Sequence, residues 1–157
     1  MSLSVPQSQS VNGAPFKVGI AASRFNEKLV DALLKHAISV LEAAGVKAKN
    51  ITTVRVPGSH EIPWAAQELA RSKDCDVVIA LGVLIGGDTN HHEMVGQSVS
   101  TALQSISLKK HVPVINGVIV ANTLAQARAR CTGKINRGAE FAQGALEMAA
   151  LKRMLKS

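Results

Sequence analysis

The residues best suited to chemistry gather in one stretch, L-G-V-L-I-G-G-D-T-N-H-H-E, which spans residues 81–93. Gly86 and Gly87 let backbone N–H groups approach a ligand closely. A helix expected from about Asn90 turns its partially positive N-terminus toward the same point, so an anion is expected there. His91 lies in the first turn of that helix, and a histidine so placed can pass protons to whatever the loop holds. A phosphate seat beside an acid–base group implies chemistry on a phosphorylated small molecule.

Such a loop needs a strand before it, and the apolar run at residues 77–81 is long enough for one buried on both faces, with 82–89 leaving it as loop. Upstream, residues 16–22 form a first buried strand that ends in S-R-F-N, where Asn26 can cap a helix running to about Ala44. That helix places Val30, Leu33, Ala37 and Leu41 on one face and meets a stop at Gly45. Residues 50–56 read as a second strand ending in P-G-S-H-E, after which Pro63 opens a helix to about Arg71. Downstream come a long helix over 90–110, a fourth strand over 113–121 interrupted by Asn116, a helix over 123–130 and a final helix over 139–156. This alternation predicts an α/β fold: a three-layer α/β/α sandwich around a flavodoxin-like four-stranded parallel sheet, with the ligand site at the carboxyl ends of the strands. Phe25 and Asn26, then Ser59, His60 and Glu61, then Gly86 to His91 follow strands one, two and three, so three loops are expected to meet at one rim.

The chain has 157 residues, 46% of them hydrophobic, which supports one core. Residues 16–157 are therefore read as a single domain, and the polar tail 1–15 as disordered or ordered by a neighbour. Aromatics make up only 3%, so the core must be aliphatic. Cys75 and Cys131 have no partner at metal spacing, which implies neither a zinc site nor a redox pair and fits the cytoplasm. No run is long enough to span a membrane, and the tail lacks the pattern of a secretory signal. The net charge of +7 is concentrated from Lys109 onward and raises polyanion binding as a reading. Nothing else supports nucleic acid, because a helix-turn-helix signal, an aromatic platform and zinc spacing are all missing. His91, His92 and Glu93 do not make a metal site, since successive helix positions face different ways.

The stretches S-R-F-N (23–26), V-P-G-S-H-E-I-P (56–63), A-L-G-V-L-I-G-G-D-T-N-H-H (80–92), P-V-I-N-G-V (113–118) and A-L-E-M-A (145–149) resemble the 6,7-dimethyl-8-ribityllumazine synthase family, in order and over residues 16–153. The resemblance implies condensation of 5-amino-6-(D-ribitylamino)uracil with 3,4-dihydroxy-2-butanone 4-phosphate, the penultimate step of riboflavin biosynthesis, without metal or cofactor. It implies that the pyrimidine stacks on Phe25, that Glu61 with the backbone of Ser59 and His60 holds the ribityl chain, and that the main chain of Val83 and Leu84 reads the pyrimidine edge. Gly87, Asp88 and Thr89 match the phosphate-binding turn, with the Asp88 side chain turned away to cap the helix. Arg130 matches a guanidinium that reaches the phosphate from an adjacent subunit, and His91 matches the proton-transfer histidine. Cys131 beside Arg130 has the setting of an activated thiolate, but the implied reaction needs no sulfur nucleophile.

Several positions depart from the family pattern. His60 stands where an aromatic is common, Gly86 replaces a frequent basic residue, and Asn116 replaces a Phe that lines the neighbouring subunit's site. Arg137 takes the place of a usual Lys as a further neighbour contribution, and the segment 131–136, with Lys134, is one residue short. His60 and Asn116 keep a second reading in view, a non-catalytic or weakly active lumazine or flavin binder. The family's assembly implies a homopentamer with sites between subunits, a shell of pentamers in some members, and riboflavin synthase as a further partner.

Overall fold

Four parallel strands form the centre of the computed structural model, which describes residues 4–72 and 74–156. They are β1 (Val18–Ser23), β2 (Ile51–Val56), β3 (Val77–Ile85) and β4 (Val114–Ala121), in the spatial order β2-β1-β3-β4. Five α-helices connect or follow them: α1 (Glu27–Ala43), α2 (Ile62–Ser72), α3 (His91–Lys110), α4 (Leu124–Cys131) and α5 (Arg137–Lys156). Short 3-10 turns at Ala48–Asn50 and Ser59–Glu61 precede β2 and α2.

Successive strand residues point to opposite faces, so each strand feeds two cores. Ile20 and Ile79 pack with Leu33 and Leu41 of α1, Ala127 of α4 and Leu146 of α5. Ala21, Val78 and Ala80 face the other way, against Ala66 and Leu69 of α2 and Leu103 of α3. Each fully buried Leu or Ile contributes about 1.5–3 kcal/mol relative to exposure, which is how a chain with few aromatics is held together. The result is the expected three-layer sandwich. Connections leave β1 in one direction and β3 in the other, so a crevice opens above their carboxyl ends. Among the described residues, no helix is long and apolar enough to cross a membrane.

The third strand differs from its sequence reading. Gly82 does not start a loop: β3 continues to Ile85 because Gly82, Val83, Leu84 and Ile85 pair with Val118, Ile119, Val120 and Ala121 of β4. Pairing with β1 stops at Ala22 opposite Leu81, so the last four residues of β3 extend toward the rim as an overhang without ladder pairing to β1. Asn26 also departs from expectation. It precedes α1 in the left-handed region, with φ 58°, and its side chain makes no cap bond. Its Nδ2 donates instead to the Val83 carbonyl at 2.7 Å, tying the start of α1 to the overhang.

At the opposite end of the sheet, Asp76 is buried and accepts from the Lys17 backbone N–H at 2.8 Å and from Arg153 Nε at 2.8 Å. The N-terminal segment runs along α5, where Gln9 N–H donates to Glu147 Oε1 and Gln143 Nε2 donates to the Gln9 carbonyl.

Candidate functional site

Three loop ends meet above the crevice and enclose a cleft of about 450 Å³. The loop after β1 supplies Phe25 and Asn26, the turn after β2 supplies Gly58 to Glu61, and the β3 overhang with the start of α3 supplies Val83, Leu84, Gly87, Thr89 and His91. That size accommodates a small organic ligand.

The Arg24 and Phe25 backbone N–H groups donate to the Val56 and Pro57 carbonyls, fixing the β1 loop against the end of β2. The Phe25 side chain is 70% exposed, and its ring edge lies over Gly58, where a Cβ would come within 3.1 Å of it. An aromatic left this bare in a chain so poor in aromatics is not a core residue, and its flat face is free for a flat ligand. Glu61 closes the 3-10 turn: its Oε2 accepts from the Gly58 N–H at 2.9 Å, while Oε1 lies 3.9 Å from His60 Nδ1. Ser59, at the base of the turn, is buried, and its hydroxyl has no hydrogen-bond partner among the described residues.

The glycine pair divides its work. The Gly86 N–H donates to the Ala121 carbonyl at 2.8 Å, and a Cβ there would sit 2.6 Å from the Asn122 carbonyl oxygen. Gly86 is therefore a close-packing residue, and its N–H is not available to a ligand. Gly87 faces open space and lines the cleft. Asp88 is exposed and does not cap α3; the helix begins after Asn90, and the Thr89 hydroxyl accepts from the His91 N–H at 3.3 Å. Asn90 occupies the N-cap position without a side-chain cap bond, and Thr89, one residue before it, meets a first-turn N–H through its hydroxyl.

The cleft thus brings together Phe25, Ser59, His60, Glu61, Val83, Leu84, Gly87, Thr89 and His91. It leaves out Arg130, whose Nη1 donates to the Gln126 carbonyl of its own helix at 2.9 Å. Asn116 is also outside, exposed on the edge strand β4, where its Oδ1 accepts from the Val118 N–H. Arg137 pairs with Glu140 at 2.6 Å at the start of α5, beside a separate cavity of about 330 Å³. Among the described residues lining the cleft there is no Lys or Arg. His92, whose sequence context does not distinguish it from an ordinary surface or packing histidine, lines it too. The one sequence signal for this was its position in the first turn of α3, beside His91. The two thiols are buried: burial pushes Cys131 up to about 11 despite Arg130, and Cys75 rises to about 11 through burial and the neighbouring Asp76 and Asp74. Neither is an activated thiolate.

Residues 15–153 match the 6,7-dimethyl-8-ribityllumazine synthase family. The chain is 49% identical over 141 residues to the 6,7-dimethyl-8-ribityllumazine synthase of Aquifex aeolicus (strain VF5), covering 89% of this chain and 92% of that protein. It is 40% identical over 141 residues to the enzyme of that name from a Polaromonas strain, covering 90% of each. The Nitrosospira multiformis protein of the same name is 40% identical over 146 residues, covering 93% of this chain and 89% of its own length.

Proposed function

The chain belongs to the 6,7-dimethyl-8-ribityllumazine synthase family, and from that premise we propose how its cleft carries out the family reaction. It is a transferase of riboflavin biosynthesis that condenses 5-amino-6-(D-ribitylamino)uracil with 3,4-dihydroxy-2-butanone 4-phosphate to 6,7-dimethyl-8-ribityllumazine. The pyrimidine lies on the Phe25 face, its edge read by the overhanging main chain of Val83 and Leu84. The ribityl chain runs toward Glu61, whose Oε1 is not engaged by the turn, and toward the backbone of Ser59 and His60. The phosphate sits at the Gly87–Thr89 end, against the N-terminus of α3. An imine forms with loss of water, phosphate is eliminated, and the ring closes with loss of a second water. His91, at the junction of the two substrate halves, moves the protons these steps need. Orientation of two bound substrates supplies much of the remaining acceleration.

One observation carries the assembly: the described cleft residues include no Lys or Arg, yet the ligand is a phosphate dianion. A helix N-terminus with a few N–H donors satisfies it only in part, and a guanidinium fork is the natural complement. We assign that role to Arg130 of an adjacent copy, with Asn116 and Arg137 as its further contributions. The family resemblance makes the minimal assembly a homopentamer with sites between subunits, placed in the cytoplasm, compatible with a closed shell of pentamers and with riboflavin synthase as a partner.

The test mixes purified protein with both substrates and follows lumazine absorbance. His91→Ala is expected to cut turnover by about a hundredfold, the low end of what general acid–base groups supply, and to leave pyrimidine affinity intact. Arg130→Ala is expected to raise the KM for the butanone phosphate. Riboflavin binding with no lumazine formed by the wild type would favour the non-catalytic binder and overturn the proposal; unchanged turnover in His91→Ala would remove that residue's role.

A further inference from the structure

His92 lines the cleft, and its ring is held from behind. Its Nε2 lies 3.2 Å from Asn122 Oδ1, and an amide oxygen only accepts, so the Nε2–H is the donor. The other ring nitrogen, Nδ1, is buried and has no hydrogen-bond partner among the described residues. Asn122 is itself fixed: its backbone N–H donates to Gln126 Oε1 at 2.8 Å, and its carbonyl is the atom against which Gly86 packs. Gln126 in turn donates its own N–H to the Thr123 hydroxyl that caps α4, and its carbonyl accepts from Arg130 Nη1 at 2.9 Å. An unbroken set of hydrogen bonds therefore runs from the first turn of α3, through the turn after β4, to the Arg130 guanidinium.

We propose that His92 is a positioning residue for phosphate recognition: through Asn122 and Gln126 it holds the Gly87–Thr89 seat of its own cleft in register with the Arg130 arm of the same chain. This rests on the reading of that arm as the cation offered to an adjacent copy. The physical reason is that neither part is rigid alone. Gly87, Asp88 and Thr89 are exposed, and the Arg130 side chain is long and rotamer-rich. A hydrogen bond that ties the α3 start to the α4 start reduces the freedom both must lose when phosphate binds. His92 presents the ring to the cleft and the N–H to Asn122, so the two roles can be separated by substitution.

His92→Phe keeps a ring in the cleft wall and removes the donor, whereas His92→Gln keeps a donor at similar reach. Asn122→Ala removes the acceptor from the other side. His92→Phe and Asn122→Ala are each expected to raise the KM for the butanone phosphate, and the inhibition constant of inorganic phosphate, by about three- to tenfold, the worth of one hydrogen bond. Pyrimidine affinity, read by titrating that substrate alone, should not move, and His92→Gln should recover most of the loss. In an Arg130→Ala background, His92→Phe should add less than about twofold, because its effect passes through that arm. Melting temperature and size in solution confirm that each variant is folded, and if His92→Phe is not, Asn122→Ala decides the question. Wild-type phosphate recognition in the folded variants, effects that multiply with Arg130→Ala, or an equal rise in both substrates' KM would overturn the proposal while the enzyme reading stands. A wild-type protein that forms no lumazine overturns both.

Discussion

Gly82 is the position where sheet geometry and the cleft wall depend most directly on each other, so an added methyl group should be felt in both. A Cβ built there lies 2.5 Å from Ser59 Oγ, 3.0 Å from Ile62 Cδ1 and 3.2 Å from Ser23 Oγ. The first distance is about 1 Å inside the roughly 3.5 Å at which non-bonded heavy atoms attract. Both serines are buried, so the turn at Ser59–Glu61 must shift or the strand must bow. Overpacking of this kind costs about 1–3 kcal/mol, which for a chain of this length lowers the melting temperature by about 3–10 °C. Displacing Ser59 also moves Glu61, two residues on, so the KM for the pyrimidine substrate should rise by about two- to tenfold. The double variant Gly82→Ala with Ser59→Ala provides the internal control. It removes the atom nearest the new methyl group, and because the Ser59 hydroxyl has no hydrogen-bond partner among the described residues, its loss alone should cost little. Thermal denaturation of the four proteins in the cycle gives the coupling. A Gly82→Ala melting temperature equal to wild type, or a double variant no more stable than Gly82→Ala, would refute the steric argument.

Two further outcomes follow from hydrogen bonds elsewhere in the fold. Asn26→Gly should destabilise the chain by about 1 kcal/mol, the value of the bond to the Val83 carbonyl, whereas Asn26→Ala should cost about 1–2 kcal/mol more because alanine must then occupy φ 58°; equal denaturation midpoints would contradict this. At Asp76, burial pushes the carboxyl up, but hydrogen bonds from Arg153 and the Lys17 N–H, with the charges of Arg153 and Lys152, outweigh it and hold the group below the ordinary carboxylate range. A depressed folded-state pKa stabilises above the unfolded value of about 3.9, and that stabilisation is lost as pH falls through the folded value. The stability gap between wild type and Asp76→Asn should therefore be full above about pH 4 and shrink on further acidification, and a gap independent of pH would rule the ion pair out as its source.

The strand-and-helix alternation was legible because buried parallel strands are written as unbroken apolar runs, of which residues 77–81 are a pure example, while 113–121, on the sheet edge, is broken by the exposed Asn116. What the sequence did not disclose was decided by pairing between distant segments. Gly82 resembles a loop start until β4 is known to be long enough to pair as far as Ala121, and Gly86 resembles a ligand-facing glycine until the Asn122 carbonyl is found against it. Asn26 carries the composition of a helix cap, but the tertiary acceptor at Val83 outcompetes the local one. His92 cannot be told from a packing histidine in sequence, since its partner lies thirty positions away.

The candidate site divides along the same line. Phe25, Ser59 to Glu61 and Gly87 to His91 each follow the end of a strand, and a parallel sheet must bring strand ends to one rim, so topology alone predicts their convergence. Arg130 follows no strand. It lies in the last turn of α4, bonded to its own helix backbone, and no rule of single-chain topology directs it toward the rim. Among the described residues lining the cleft there is no Lys or Arg, while a helix one loop away carries a guanidinium outside it. On the proposed assignment of Arg130 to an adjacent copy, that division has a functional logic: a phosphate held partly by backbone dipoles and partly by a side chain from elsewhere can be gripped only when both surfaces meet, so completion of the site becomes conditional on assembly. Dilution below the dissociation constant of the assembly should then weaken phosphate recognition before it unfolds the chain, since the core of each protomer closes without Arg130.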